Sequence, residues 1–105
     1  LENASLVVGD LQLDSHKFEV TRADKKIKLS TKEFALLDYL MRNKDRILTK
    51  ENIISHVWDY DADILPNTVE VFMGYLRNKI DKPFTNSPNL IKTVRGFGYK
   101  ISDEQ

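Results

Sequence analysis

The chain has 105 residues, 41% of them hydrophobic and 30% charged, a balance that suits one soluble domain with a single core. It carries 16 basic and 16 acidic residues and no cysteine, which excludes a disulfide framework and a cysteine-type zinc site. No apolar run approaches the roughly 20 residues that span a bilayer, so no membrane role and a cytoplasmic location are expected.

The chain opens with a period of two. Leu11 and Leu13 alternate, as do Phe18 and Val20, then Ile27 and Leu29, with turn residues at Gly9-Asp10 and Ala23-Asp24-Lys25. This predicts a small antiparallel sheet of four short strands. The period then becomes helical. Ser30-Thr31-Lys32-Glu33 has the form of a capping box, in which Ser30 accepts from the Glu33 amide and Glu33 reaches back. Phe34, Leu37, Leu40 and Met41 follow at helical spacing, and residues 43–46 end the helix. Ile47-Leu48 form an extended link. Thr49 caps a second helix carrying Ile53, Ile54, Val57 and Trp58. Residues 59–65 are loop. Pro66-Asn67 open a third helix, with Asn67 as its expected cap and Glu70 at the capping-box position. After a polar connection over residues 83–89, Leu90–Val94 and Tyr99–Ile101 read as a hairpin around Arg95-Gly96-Phe97-Gly98, whose glycines permit positive φ. The order is sheet, three helices, hairpin, an α+β winged helix-turn-helix, a motif that places its last helix in a DNA groove.

A net charge of zero does not favour nucleic acid, but its distribution does. Residues 67–100 hold six basic residues against two acidic ones, whereas residues 1–66 hold ten against twelve. The positive end lies in the last third.

On the third helix Val69, Phe72, Met73, Leu76 and Ile80 form a core stripe. Asn67, Val71, Tyr75 and Asn78 fall roughly opposite, with Thr68 and Lys79 on one shoulder and Arg77 on the other. This face is either solvated, with scattered apolar residues as surfaces allow, or groove-facing. In the second case valine meets a thymine methyl, asparagine an adenine edge, and Arg77 guanine or phosphate. Lys92, Arg95 and Lys100 surround the hairpin. They are either ordinary outward charges or a wing whose Arg95 enters a narrow minor groove, with Thr93 and Tyr99 offering hydroxyls to phosphates.

Asp59, Asp61, Asp63, Asn67 and Glu70 are spaced like the ligands of an EF-hand loop. Ile64 stands where that loop needs glycine, so an acidic loop contacting another protein is the better expectation. His16 and His56 lack metal-ligand spacing, and no Gly-rich phosphate loop or G-x-S-x-G occurs. Neither catalysis, nor a metal, nor a cofactor is expected.

The stretches LSTKEFALLDYL, ILTKENIISHVW, NTVEVFMGYLRNKI and IKTVRGFGYKI, in this order and spacing, resemble the DNA-binding effector domain of OmpR/PhoB-class two-component response regulators. The resemblance spans about Leu6 to Ile101. It implies a winged helix with an N-terminal four-stranded sheet, a third helix reading the major groove and a wing entering the minor groove of double-stranded DNA. By position it makes Lys50, Trp58, Thr93, Gly96 and Tyr99 phosphate-contacting positions, and Arg95 the minor-groove arginine. Val71, Tyr75 and Arg77 become groove-facing, and Asn67, Thr68, Asn78 and Lys79 complete the candidate major-groove set. The loop with Asp59, Tyr60, Asp61 and Asp63 corresponds to the segment that touches RNA polymerase in activators. The resemblance further implies direct-repeat operators, and dimerisation through an N-terminal receiver domain that a sensor histidine kinase phosphorylates. The expected boundaries are a linker remnant at 1–5, the winged-helix domain at 6–102 and a tail at 103–105.

Many members carry arginine where this chain has Asn67, Gly74 and Tyr75. Three fewer phosphate neutralisers flatten the salt dependence by up to about 2.7 log units per decade. Weak binding by the isolated domain, rescued by pairing, is therefore expected. The alternative is a winged helix used for protein contacts, with little intrinsic DNA affinity. Gly74 inside a helix costs about 1 kcal/mol relative to alanine, and it is either a site of close approach to DNA or a neutral surface glycine.

Overall fold

The alternating segment becomes four antiparallel strands in chain order: β1 (Ser5–Val8), β2 (Leu11–Asp14), β3 (Glu19–Arg22) and β4 (Lys25–Ile27). The register aligns Leu6 with Leu13, Leu13 with Val20, and Val20 with Ile27, one apolar row across the sheet. Ala23 and Asp24, both at positive φ, make the two-residue β3–β4 turn that matches strand twist. These features belong to a computed structural model that describes residues 5–59 and 64–104. Residues 1–4 and 105 of the expected linker and tail, and Tyr60, Asp61 and Asp63 of the acidic loop, lie outside the described residues.

Helix α1 (Thr31–Arg42) starts at the expected box: Glu33 N donates to Ser30 Oγ at 3.2 Å, and Ser30 N donates to Glu33 Oε1 at 2.8 Å. Its buried stripe is Phe34, Leu36, Leu37, Leu40 and Met41. Helix α2 (Lys50–Ile53) is capped by Thr49, with Asn52 completing the box, and runs directly into a π-helical turn (Ile54–Trp58). Ile54 is half-buried rather than core.

Helix α3 (Thr68–Leu76) also passes into a π-helical turn (Arg77–Asp81). Val69, Met73, Leu76 and Ile80 are fully buried. Phe72 departs from the expected stripe and is half-buried, because it lies between two other rings described below. The expected cap is also overturned. Asn67 makes no side-chain cap, since its φ of −98° and ψ of 10° continue a turn instead of the extended conformation a cap requires. Glu70 points instead to Lys50.

The hairpin is β5 (Ile91–Val94) and β6 (Gly98–Ile101), seated on the α1–α2 link. Leu48 N donates to Tyr99 O at 2.8 Å, and Tyr99 N donates to Leu48 O at 3.0 Å. A side chain at Gly98 (φ 153°) would collide with the Leu48 carbonyl, so the close approach requires glycine.

Arg22 is wholly buried and joins the sheet to the end of α3. Its Nη1 donates to Asp81 Oδ1 at 2.9 Å and to the Ile80 carbonyl, its Nε to Asp10 Oδ1 at 2.8 Å, and its Nη2 to the Pro88 carbonyl at 2.6 Å. Asp81 in turn accepts from Leu90 N (2.9 Å) and Ile91 N (3.1 Å), which fixes the start of the hairpin. A buried charge is tolerable when paired and hydrogen-bonded in this way.

Candidate nucleic-acid interface

The outer face of α3 is built on a row of rings in edge-to-face contact. Phe72 meets Trp58 edge-on (5.2 Å, 80°) and Tyr75 at 5.3 Å and 65°. Lys32 caps this row from α1, its Nζ 5.9 Å from the Trp58 ring and donating to the Val57 carbonyl at 2.9 Å. The packing holds Tyr75 outward, 46% exposed, beside Val71 at 37%. Asn67 and Asn78 are exposed, and Thr68 is half-buried at the helix start. Trp58 itself is only 7% exposed, so packing is its main work and little of the ring can meet a phosphate.

Two of the basic candidates do not extend freely from the helix. Arg77 turns to the hairpin, where Nη2 donates to Thr93 Oγ1 at 2.6 Å and the guanidinium lies 6.0 Å from the Tyr99 ring. Lys79, expected toward a groove, is instead directed at α1. Its Nζ lies 2.6 Å from Glu33 Oε1, because the buried capping carboxylate needs a counter-ion. Burial disfavours the Glu33 carboxylate, but the Lys79 ammonium and the Ser30 amide outweigh it and hold the carboxyl below its ordinary range.

On the hairpin, Thr93 pairs with Tyr99 on the face shared with buried Ile91 and Ile101. Lys92 and Lys100 are paired on the opposite face, so they flank the wing from outside and do not surround its tip. Arg95 and Gly96 are exposed at the tip, with Gly96 at φ 82°. Phe97, outside the set of expected site residues, is 70% exposed there. Its position between two glycines at a turn is the signal in the sequence that marks it. Burial, then the Glu70 carboxylate, pushes the Tyr99 phenol up.

Between α2, the first turn of α3 and the hairpin runs a groove of about 390 Å³, lined by Lys50, Glu70, Thr93, Gly96 and Tyr99 among others. Four of the five expected phosphate positions thus share one concavity; Trp58 does not line it. Lys50 Nζ lies 2.9 Å from Glu70 Oε1 within it. Asp59, at φ 43°, ends the π-helical turn after α2.

A four-stranded sheet, three helices and a C-terminal hairpin bonded to the last helix define a winged helix-turn-helix of the OmpR/PhoB type. Residues 24–101 match the family described as transcriptional regulatory protein, C terminal, and the chain belongs to that family. It is a DNA-binding output domain of a transcription regulator. The chain is 42% identical over 102 residues to the response regulator MprA of Mycolicibacterium vanbaalenii, a match covering 97% of this chain and 43% of that protein. It therefore spans less than half the length of that relative. Among solved structures it resembles the Klebsiella pneumoniae RstA DNA-binding domain in complex with RstA box (TM-score 0.83, 25% identity, 97% of this chain and 100% of that one). It also resembles the Thermotoga maritima OmpR/PhoB homologue DrrB (TM-score 0.82, 30% identity, 96% and 45%). Among the described residues no helix is long and apolar enough to cross a membrane.

Proposed function

We propose that this domain binds double-stranded DNA sequence-specifically, with α3 in the major groove and the wing in the adjacent minor groove. The Arg77–Thr93 bond carries this reading, because it sets the exposed face of α3 and the inner face of the wing side by side. Val71, Tyr75 and Asn78, with Asn67 and Thr68 at the helix start, are the surface offered to base edges. Lys50, Thr93, Gly96 and Tyr99 serve phosphates, and Arg95 serves the minor groove, with Phe97 beside it. The RstA domain described above binds its box with the same fold, which supports the geometry by analogy.

The whole protein would be a phosphorylation-controlled cytoplasmic regulator, since MprA, which is more than twice as long, is a response regulator. A receiver domain phosphorylated by a sensor kinase would pair two such modules on direct repeats. Pairing raises effective concentration and offsets the scarcity of free cations on α3. The loop at residues 59–65 would contact RNA polymerase.

Selection of bound sequences from a random duplex pool, using a dimerised form of the domain, tests this directly. Enrichment of a repeated motif is expected, and Arg95→Ala should weaken its binding. Absence of any shift for either protein on A·T-flanked direct repeats at low salt would instead favour a protein-interaction module.

A further inference from the structure

Resting on the DNA-binding reading above, we infer that Glu70 is a built-in counter-ion that occupies the phosphate-contact position of Lys50 and must be displaced whenever a duplex docks. The two side chains come from different helices and meet at 2.9 Å inside the groove that also holds Thr93, Gly96 and Tyr99. On that reading the carboxylate stands in the groove that a phosphate would enter. Glu51 lines the same groove and adds a second carboxylate beside an incoming strand.

Two further internally engaged cations, Lys79 and Arg77, differ in kind. Glu33, the partner of Lys79, is buried and completes the α1 capping box, so it is not free to leave. Thr93, the partner of Arg77, is a neutral hydroxyl that imposes no charge penalty on a nearby phosphate. Glu70 is half-exposed, and α3 makes no capping contact with it through Asn67. Its carboxylate is therefore free to exchange partners at little cost to the fold, since exposed ion pairs contribute little.

Docking swaps one anion for another on Lys50 and leaves Glu70 beside the polyanion. The exchange adds no net neutralisation at this position, so Lys50 contributes little to counterion release. Because phosphate contacts carry no sequence information, the penalty falls equally on every duplex. It sets a uniform threshold that base contacts and pairing of modules must exceed.

Fluorescence anisotropy of the whole chain, titrated into fluorescein-labelled duplexes of selected and of random sequence over a range of salt, tests this. Glu70→Gln should bind both duplexes roughly 3–5-fold more tightly, the scale of one exposed charge pair. Its plot of log affinity against log salt should steepen by about 0.9, one added phosphate neutralised. Lys50→Gln should weaken the Glu70→Gln protein more than the wild type, and the melting temperature of Glu70→Gln should stay at the wild-type value. A pair that merely braces α2 against α3 predicts a lower melting temperature with no gain in affinity, and that result overturns the inference. Unchanged affinity and slope in Glu70→Gln, with weaker binding by Arg95→Ala, overturns it while leaving the DNA-binding reading intact. No binding by either protein to any duplex at low salt overturns both.

Discussion

Arg77 Nη2 donates to Thr93 Oγ1 at 2.6 Å, and the same guanidinium lies 6.0 Å from the Tyr99 ring, so α3 and the wing are held as one surface. Arg77→Lys keeps the charge but loses the planar fork and the ring contact. Stability should change by less than about 0.5 kcal/mol, as at other surface sites. DNA affinity should fall roughly 5–10-fold, corresponding to about 1–1.4 kcal/mol, with an unchanged salt slope. Anisotropy titrations at several salt concentrations check this, and an affinity equal to that of the wild type would show that Arg77 acts by charge and not by orientation.

Arg22 is the most consequential charge for folding. Arg22→Met leaves Asp81 buried without its cation and the Ile80 and Pro88 carbonyls without a donor. The loss should be about 3–5 kcal/mol, read as a lower urea midpoint with an unchanged m-value. Asp81→Asn keeps an acceptor for only one of Leu90 N and Ile91 N, which bond different carboxylate oxygens, but leaves Arg22 the Asp10 carboxylate, so it should lose less, about 1–3 kcal/mol. Equal losses in the two variants would show that the hydrogen bonds of Asp81, and not the charge of Arg22, hold this junction together.

Two glycines should respond in opposite directions. Gly98→Ala forces a methyl into the Leu48 backbone at positive φ and should destabilise by about 3 kcal/mol. Gly74 sits in α3 with open space where a methyl group would stand in the free domain, so Gly74→Ala should stabilise by about 1 kcal/mol. Chemical denaturation measures both. If DNA backbone approaches Gly74, Gly74→Ala will also bind duplex more weakly despite its added stability.

Acid sensitivity should trace to carboxyls held below their ordinary range. Burial opposes the charged form of Glu33 and of Asp10, but Lys79 and Ser30 in the first case, and Arg22 and Ser87 in the second, outweigh it. A depressed folded value means that the stabilisation is complete above the unfolded carboxyl range, about 4–4.3, and is lost as pH falls through the lower folded value. Urea midpoints from neutral pH to pH ~3 should therefore fall for the wild type. Glu33→Gln should be less stable at neutral pH, and its deficit should shrink as the pH drops through that window. A deficit independent of pH would assign the contribution of Glu33 to packing.

What spacing along the chain determined was local. The alternation that carries Leu13, Val20 and Ile27 and the buried positions Val69, Met73, Leu76 and Ile80 follow from the periods of strand and helix, and the capping box at Ser30, the cap at Thr49 and the turn at Ala23-Asp24 follow from residue type. The same periods put Val71 and Tyr75 outside, and family-like motifs marked the wing. Tertiary structure alone decided where the charges ended. Arg22 finds Asp81 across 59 positions, Lys79 finds Glu33 across 46, and Arg77 finds Thr93 across 16. Period fixes the direction in which Cβ leaves the backbone, but a long flexible stem carries its charge to whichever partner packing brings near. Glu70 followed the same rule, leaving its expected cap for Lys50, and Gly98 became obligatory only because the hairpin was laid against Leu48.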